Sequence, residues 1–223
     1  MPAPLLLLDT GSPLVSVAVA RGSAVATRAI AQQRSSASLL TLVQEALEEA
    51  GIAVGDLAGI AALRGPGSFT GLRIGLATAL GLHQALGVPA TALPTLQVLA
   101  AVPEADGIVV AAVDALRGEW SAQAFAAGPV PRPLGEMELV PSAELPRLAA
   151  GRPAAVVGFG VSRLTGLPGA PRLVEPGPLA ASALRLAAAP GLDWNPDLLV
   201  APIYSRPPAI SAPRPRDAAS RVG

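Results

Sequence analysis

The sequence contains neither cysteine nor lysine, and these two absences remove several kinds of chemistry. Without cysteine the chain cannot form disulfides, thiolate nucleophiles or zinc–thiolate sites. Without lysine it can carry neither a Walker lysine nor a Schiff base. Arginine is the only basic residue type apart from one histidine, and its 16 residues balance 16 Asp and Glu. We therefore expect no broad basic surface for nucleic acid or anionic lipid.

Histidine and long apolar runs are also scarce. His83 is the only histidine, which excludes a two-histidine metal site, and we expect it to be a packing residue on an apolar helix. No run of about 18 apolar residues predicts a membrane span. The N-terminal letters MPAPLLLLDTG include no basic leader, so they predict a buried strand rather than a signal peptide. The protein is expected to be cytoplasmic.

Apolar periodicity predicts a mixed α/β chain. We expect strands over residues 5–8, 14–20, 24–30, 59–63, 90–93, 107–114, 119–126 and 154–157. We expect helices from Ser36 or Ser38 to Ala50, and over 70–86, 94–101, 142–150 and 178–188. A strand, a hairpin and further helices occur twice in this order. The pattern indicates two related lobes, 1–102 and a degenerate 103–206, followed by a flexible tail over 207–223.

A glycine-rich stretch, RGPGSFTGLRIG, occupies residues 64–75 between a predicted strand and a predicted helix. A turn before a helix N-terminus can bind an anion, and it can equally be a structural turn. The helix also carries small residues at Gly71, Gly75 and Ala79, which lie on one side of it. Glycine inside a helix costs about 1 kcal/mol relative to alanine, so another backbone is expected to pass close by. That backbone could belong to this chain or to a partner.

Two aspartates follow predicted strands, one in each lobe. Asp9 precedes Thr10 and Gly11, and it could orient a metal-bound phosphate or a water, or close an Asx-type turn. Asp114 ends the first strand of the second lobe and has the same alternatives. If the lobes are related, Asp9 and Asp114 should face each other across a cleft.

The stretch from Arg64 to Leu82, RGPGSFTGLRIGLATALGL, resembles the signature of the TsaB (YeaZ) family, bacterial proteins required to make threonylcarbamoyladenosine in tRNA. The resemblance extends to residues 5–11, 38–51, 90–100, 114–119 and the C-terminal Pro202-Ile203-Tyr204-Ser205-Arg206. The chain departs from the family at residues 34–37, which read Arg-Ser-Ser-Ala where many relatives have Arg-His-Ser-Glu. It also departs at Leu116, where the family's hairpin has arginine.

The resemblance implies an actin/hsp70/sugar-kinase-like fold, with two related lobes of mixed sheets flanked by helices. It further implies a subunit without catalytic residues of its own, which pairs with a TsaD-type subunit and meets a TsaE-type ATPase. The complex transfers a threonylcarbamoyl group to the adenosine beside the tRNA anticodon, so contact with tRNA would be indirect. No cofactor or metal is required of this chain, although ATP could bind at a shared site. In isolation the chain could form a homodimer.

Two groups of site residues follow from the resemblance. The expected partner interface comprises Leu39, Leu42, Val43, Ala46, Leu72, Gly75, Leu76 and Ala79. The expected contacts to a nucleotide or to the third subunit are Asp9, Thr10, Gly11, Gly65, Gly67, Ser68, Phe69, Thr70, Gly71 and Arg73. The rival interpretation is a nucleotide-dependent ATPase or kinase of the same fold that uses Asp9. A metallopeptidase, suggested by an old label of the wider family, is excluded by the single histidine.

Overall fold

The computed structural model of the chain describes residues 4–31, 39–102, 106–151 and 153–206. Its strands are β1 (Leu5–Asp9), β2 (Leu14–Arg21), β3 (Ala24–Ala31), β4 (Gly59–Leu63), β5 (Ala90–Leu93), β6 (Ile108–Asp114), β7 (Glu119–Ala126), β8 (Arg132–Pro133), β9 (Glu138–Pro141), β10 (Ala155–Val157) and β11 (Arg172–Val174). Its α-helices are α1 (Leu39–Ala50), α2 (Phe69–Leu86), α3 (Thr95–Ala100) and α4 (Leu179–Ala187). The predicted cap at Ser36 or Ser38 and the predicted flexible tail over 207–223 lie outside the described residues.

The two sheets share one topology. The first has the strand order β3-β2-β1-β4-β5, with β1, β2 and β3 antiparallel and β4 and β5 parallel to β1. The second has the order β11-β10-β6-β7-β8, with β9 also paired to β7. There β7 is antiparallel to β6, whereas β10 and β11 run parallel to it. This repeat confirms the predicted pair of related lobes with mixed sheets.

The helices form two layers on the first sheet. Helices α1 and α2 share one apolar cluster with β1, β2 and β4, so they cover the same face. Helices α3 and α4 share another cluster with both sheets and lie between them. A short 3₁₀-helix, Pro196–Val200, packs against β5 and α2. The chain therefore returns to the first lobe after α4, and its last described residues pass beside α2 and reach the start of β7.

The second lobe differs most from expectation. The helix predicted over 142–150 is a 3₁₀-helix, Ser142–Ala149, in which Pro146 cannot supply the backbone N–H that an α-helix needs. Strands β8, β9 and β11 were not predicted. They are two to four residues long and proline occurs in or beside them, so they carry too little alternation to be read from the sequence.

Candidate site between the two lobes

The turn after β1 is closed by its own aspartate. The N–H groups of Gly11 and Ser12 donate to Asp9 Oδ1 at 3.1 and 3.2 Å. Asp9 is fully buried, and its Oδ2 has no hydrogen-bond partner among the described residues. Burial raises the pKa of the Asp9 carboxyl to about 7, although the hydrogen bonds from Ser12 and Gly11 work in the opposite direction. Geometrically, the turn is thus of the Asx type, one of the two alternatives that the sequence left open.

The start of α2 packs directly against this turn. Thr10 Oγ1 donates to the carbonyl of Gly71 at 2.7 Å. A Cβ at Gly75 would overlap with Thr10 Oγ1 itself. A Cβ at Gly67 would approach the carbonyl oxygen of Gly11 to 2.7 Å. Gly67 and Gly75 are therefore required by this chain's own turn after β1, through the Gly11 backbone and the Thr10 side chain, rather than by a partner's helix.

Ser68 caps α2 beside this contact. Its Oγ accepts the N–H of Gly71 at 3.2 Å, and its own N–H donates to the carbonyl of Gly11 at 2.8 Å. The 18-residue helix therefore starts at a fixed point above the turn after β1.

A cavity of about 530 Å³ lies where the turns of the two lobes meet. Its walls are mainly apolar, with a few polar groups between them. It is lined by Gly11, Ser12, Pro13, Pro66, Gly67, Ser68, Phe69, Thr95, Leu99, Val113, Asp114, Ala115, Leu116, Phe159, Ser205 and Arg206. Thr95 is 4% exposed, and its Oγ1 has no hydrogen-bond partner among the described residues.

The residues predicted to contact a nucleotide or a third subunit divide into three groups. Gly11, Gly67, Ser68 and Phe69 line the cavity. Asp9, Thr10 and Gly71 are buried behind it, and Gly65 packs against the carbonyl of Ile203. Thr70 and Arg73 are exposed on the first turn of α2. The expected pairing of Asp9 with Asp114 across a cleft is wrong, because Asp114 lines the cavity and Asp9 does not.

The C-terminal segment contributes residues for which the sequence suggested no role. The Tyr204 ring lies 4.9 Å from the Phe69 ring between centroids, and its hydroxyl accepts from Arg73 Nε at 3.2 Å. Arg206 forms an ion pair with Glu119 of β7. The resemblance had marked Pro202 to Arg206 as a motif, but only the fold brings it to the cavity.

The predicted partner interface needs a correction. Its eight members are buried inside the chain, because α1 and α2 turn these sides toward the first sheet or the turn after β1: Leu39, Leu42, Val43, Ala46, Leu72, Gly75, Leu76 and Ala79. Apolar residues at helical spacing mark a buried face, and here the neighbour is the chain's own sheet. They are not available to another protein in the folded chain.

The opposite side of α2 carries a second series of small residues. Ala77, Gly81 and Ala85 are exposed at intervals of four, and a Cβ at Gly81 would meet no other atom within 4 Å. Leu40 is 65% exposed at the start of α1, the helix that covers the same face of the first sheet as α2. These four residues are called the outer helix surface below.

The described residues contain neither a metal-binding cluster nor a helix that could span a membrane. In those residues no three His, Cys, Asp or Glu side chains lie close enough together to hold a metal ion. No helix there is long and apolar enough to cross a membrane.

Comparison with known proteins first defines the class. The fold is the two-lobed actin/hsp70/sugar-kinase-like fold, which the chain shares with the activator of 2-hydroxyisocaproyl-CoA dehydratase from Clostridium difficile. That structure, solved with bound ADPNP, is 11% identical and has a TM-score of 0.51 over 83% of this chain and 92% of its own. At this identity the likeness concerns the fold alone.

Closer relatives define the family. YeaZ from Pseudomonas aeruginosa is 30% identical, with a TM-score of 0.72 over 83% of this chain and 90% of its own. The tRNA threonylcarbamoyladenosine biosynthesis protein TsaB of Haemophilus influenzae is 34% identical over 52% of this chain and 50% of its own. Residues 25–127 also match the model of TsaD, tRNA N6-adenosine threonylcarbamoyltransferase. The chain belongs to the TsaB (YeaZ) family, and the match spans about half the length of its curated relatives.

Proposed function

We propose that this chain takes part in making threonylcarbamoyladenosine in tRNA, as a scaffold subunit without an active site of its own. Membership of the TsaB (YeaZ) family carries this proposal. The partner is a TsaD-type subunit. Support comes from the match of residues 25–127 to the TsaD model, since two related chains can pair through equivalent surfaces. Contact with tRNA is then made through the complex.

The outer helix surface (Leu40, Ala77, Gly81 and Ala85) is the contact that we propose for this partner. Small side chains let a second helix approach closely, and an exposed leucine adds apolar area that a partner would bury. The same surface would support a homodimer when the partner is absent. Both helices that carry this surface, α1 and α2, lie within residues 25–127, the region that matches the TsaD model.

A TsaE-type ATPase and ATP complete the proposed complex. We place their contact at the first turn of α2, where Phe69, Thr70 and Arg73 are exposed near the cavity. An exposed arginine and a helix N-terminus both favour an anionic ligand. ATP would be bound jointly with the partner subunits.

The substitution Gly81→Arg tests the proposed contact with TsaD. Arginine at this exposed, open position should leave the chain folded but block close packing of a partner helix. We expect loss of co-purification with the TsaD-type subunit. The matched control is Gly135→Arg in the second lobe, where a Cβ would also meet no atom within 4 Å.

Full assembly of the Gly81→Arg chain would contradict the proposed surface. Substitutions at the buried interface residues, such as Gly75→Glu or Ala46→Arg, do not test it. They would disrupt the core of the chain, so a loss of assembly would have a second cause.

A second candidate function is a nucleotide-dependent ATPase, favoured by the cavity between the two lobes. It predicts that the purified chain alone binds and hydrolyses ATP. Asp114→Asn should abolish the hydrolysis while the fold is kept, because Asp114 is the carboxylate that lines the cavity whereas Asp9 is buried behind it. Calorimetric titration with ATP and a phosphate-release assay distinguish the two functions, because a scaffold subunit alone should show no turnover.

A further inference from the structure

The last described segment, Ala201–Arg206, passes from the first lobe to the second beside the cavity. We propose that this segment is a strap that links the two lobes at the cavity wall, in addition to the apolar core that they share, and sets how far the cavity opens. Ser205 and Arg206 form part of the cavity wall, so the strap also borders the space that it would regulate.

The strap is anchored to the first lobe by its backbone. The N–H of Ile203 donates to the carbonyl of Arg64 at 2.6 Å. Arg64 Nη1 donates to the carbonyl of Ala201 at 3.2 Å. Gly65 leaves no room for a side chain next to the carbonyl of Ile203. These two hydrogen bonds reach the strap backbone at Ala201 and Ile203, on either side of Pro202, and they hold this end of the strap in one position.

Side chains then fix the strap to the first turn of α2. The ring of Tyr204 contacts the ring of Phe69, and Arg73 lies over the same Phe69 ring at 3.9 Å from its centroid. Arg73 Nε also donates to the hydroxyl of Tyr204. Stacked aromatic rings and a cation over one of them stabilise this anchor beyond the area that they bury.

The contact with the second lobe is much slighter. The polar contact there is the ion pair between Arg206 and Glu119, whose side chains are 34% and 38% exposed. Glu119 begins β7, directly after the hairpin that carries Asp114 and Leu116 into the cavity wall. An ion pair that is partly in water contributes little, so it can open and close readily. A firm anchor on one lobe and a weak contact on the other are what a reversible strap requires.

The absence of cysteine makes a direct test simple. Spin labels are attached to Thr70→Cys on the first lobe and Arg117→Cys on the second, both at exposed positions, and the distance distribution between them is measured by pulsed EPR. Arg206→Gln or Glu119→Gln should increase the population at longer distances, roughly two- to fivefold, as expected from loss of an exposed ion pair. The control is Arg147→Gln, which breaks an ion pair with Glu138 within the second lobe only.

The charge-swapped double variant Arg206→Glu with Glu119→Arg should restore the original distribution, since it rebuilds the pair in reverse. An unchanged distribution in both single variants would overturn the proposal. An equal change in the Arg147→Gln control would overturn it too, because the effect would then not depend on contact between the lobes. Circular dichroism confirms that each variant is folded. None of these results depends on the TsaD-type partner, so the test is separate from that of the proposed function.

Discussion

The turns that follow β1 and β6 occupy the same place in two sheets of the same topology, yet they have different environments. Each begins with an aspartate that accepts backbone N–H groups of its own turn: Asp9 from Gly11 and Ser12, Asp114 from Leu116 at 2.7 Å. Asp9 is fully buried, whereas Asp114 is exposed. The hydrogen bonds within each turn therefore do not determine whether its aspartate carboxylate is accessible from outside the chain.

The difference in burial comes from the helix that follows the neighbouring parallel strand, which is β4 beside β1 and β10 beside β6. In the first lobe β4 leads into α2, whose 18 residues begin over the turn after β1 and bury it. In the second lobe β10 is followed by a 3₁₀-helix of three residues, Val161–Arg163, which leaves the turn after β6 open to the cavity. The first carboxylate therefore closes a buried turn of its lobe, while the second is exposed at the wall of the cavity.

The largest expected effect concerns the charge of Asp9. The folded carboxyl keeps its proton up to about pH 7, whereas the unfolded one loses it near pH 4, so the free energy of unfolding should fall as the pH rises between these values. A difference of about three pKa units corresponds to about 4 kcal/mol. Asp9→Asn should remove this pH dependence and be more stable than the natural chain at pH 8. Urea unfolding at pH 4, 6 and 8 measures it.

Asp114, which occupies the corresponding place in the second lobe, provides the control for that experiment. Asp114→Asn changes the corresponding carboxylate at an exposed position, so its stability should stay within about 0.5 kcal/mol of the natural chain at every pH. Equal pH profiles for the two variants would mean that the two turns do not differ in the way the structure indicates.

A smaller effect is expected where α2 covers the first turn. Gly75→Ala places a methyl group against Thr10 Oγ1 and should lower the free energy of unfolding by about 2 kcal/mol. Gly81→Ala on the exposed side of the same helix meets nothing and should raise it by up to about 1 kcal/mol through helix propensity. Thermal unfolding of both variants provides the measurement. Stabilisation by both would show that the helix does not press on the turn.

The smallest effect is expected in the hairpin after β6. Leu116 has a φ of 64° and is 70% exposed, a left-handed conformation that leucine adopts at a cost. Leu116→Asn should therefore stabilise the chain, by roughly 0.5 kcal/mol, since asparagine tolerates this conformation. Leu40→Asn, at an exposed helical position, should destabilise it by a similar amount. Urea midpoints of the two variants should shift in opposite directions.

The regular elements of the first lobe could be predicted closely. Strands β4 and β5 have the predicted bounds, and α2 begins one residue before the predicted start. Apolar runs, a serine cap and a glycine after the last turn are local signals, and they agree with the fold in this lobe. In the second lobe β6, β7 and β10 were predicted as closely, whereas β8, β9 and β11 are too short for periodicity to act as a signal.

The site was less accessible to prediction, because the sequence does not say what a buried surface packs against. The small residues at Gly71 and Gly75 indicated a close backbone, but the neighbour proved to be Thr10 rather than a partner's helix. Arg206 reaches the cavity, and Tyr204 reaches α2, only through contacts with residues more than 80 positions away in the sequence. No local pattern encodes such a separation.

By itself, the sequence determined the family, the repeated α/β order and the chemistry that the chain cannot perform. Composition, capping residues and apolar spacing are properties of neighbouring residues, so they can be read without a structure. Only the tertiary structure decided that Asp9 is buried and Asp114 exposed, and that the predicted interface belongs to the core. Those outcomes depend on which helix covers which turn, and long-range packing alone sets that arrangement.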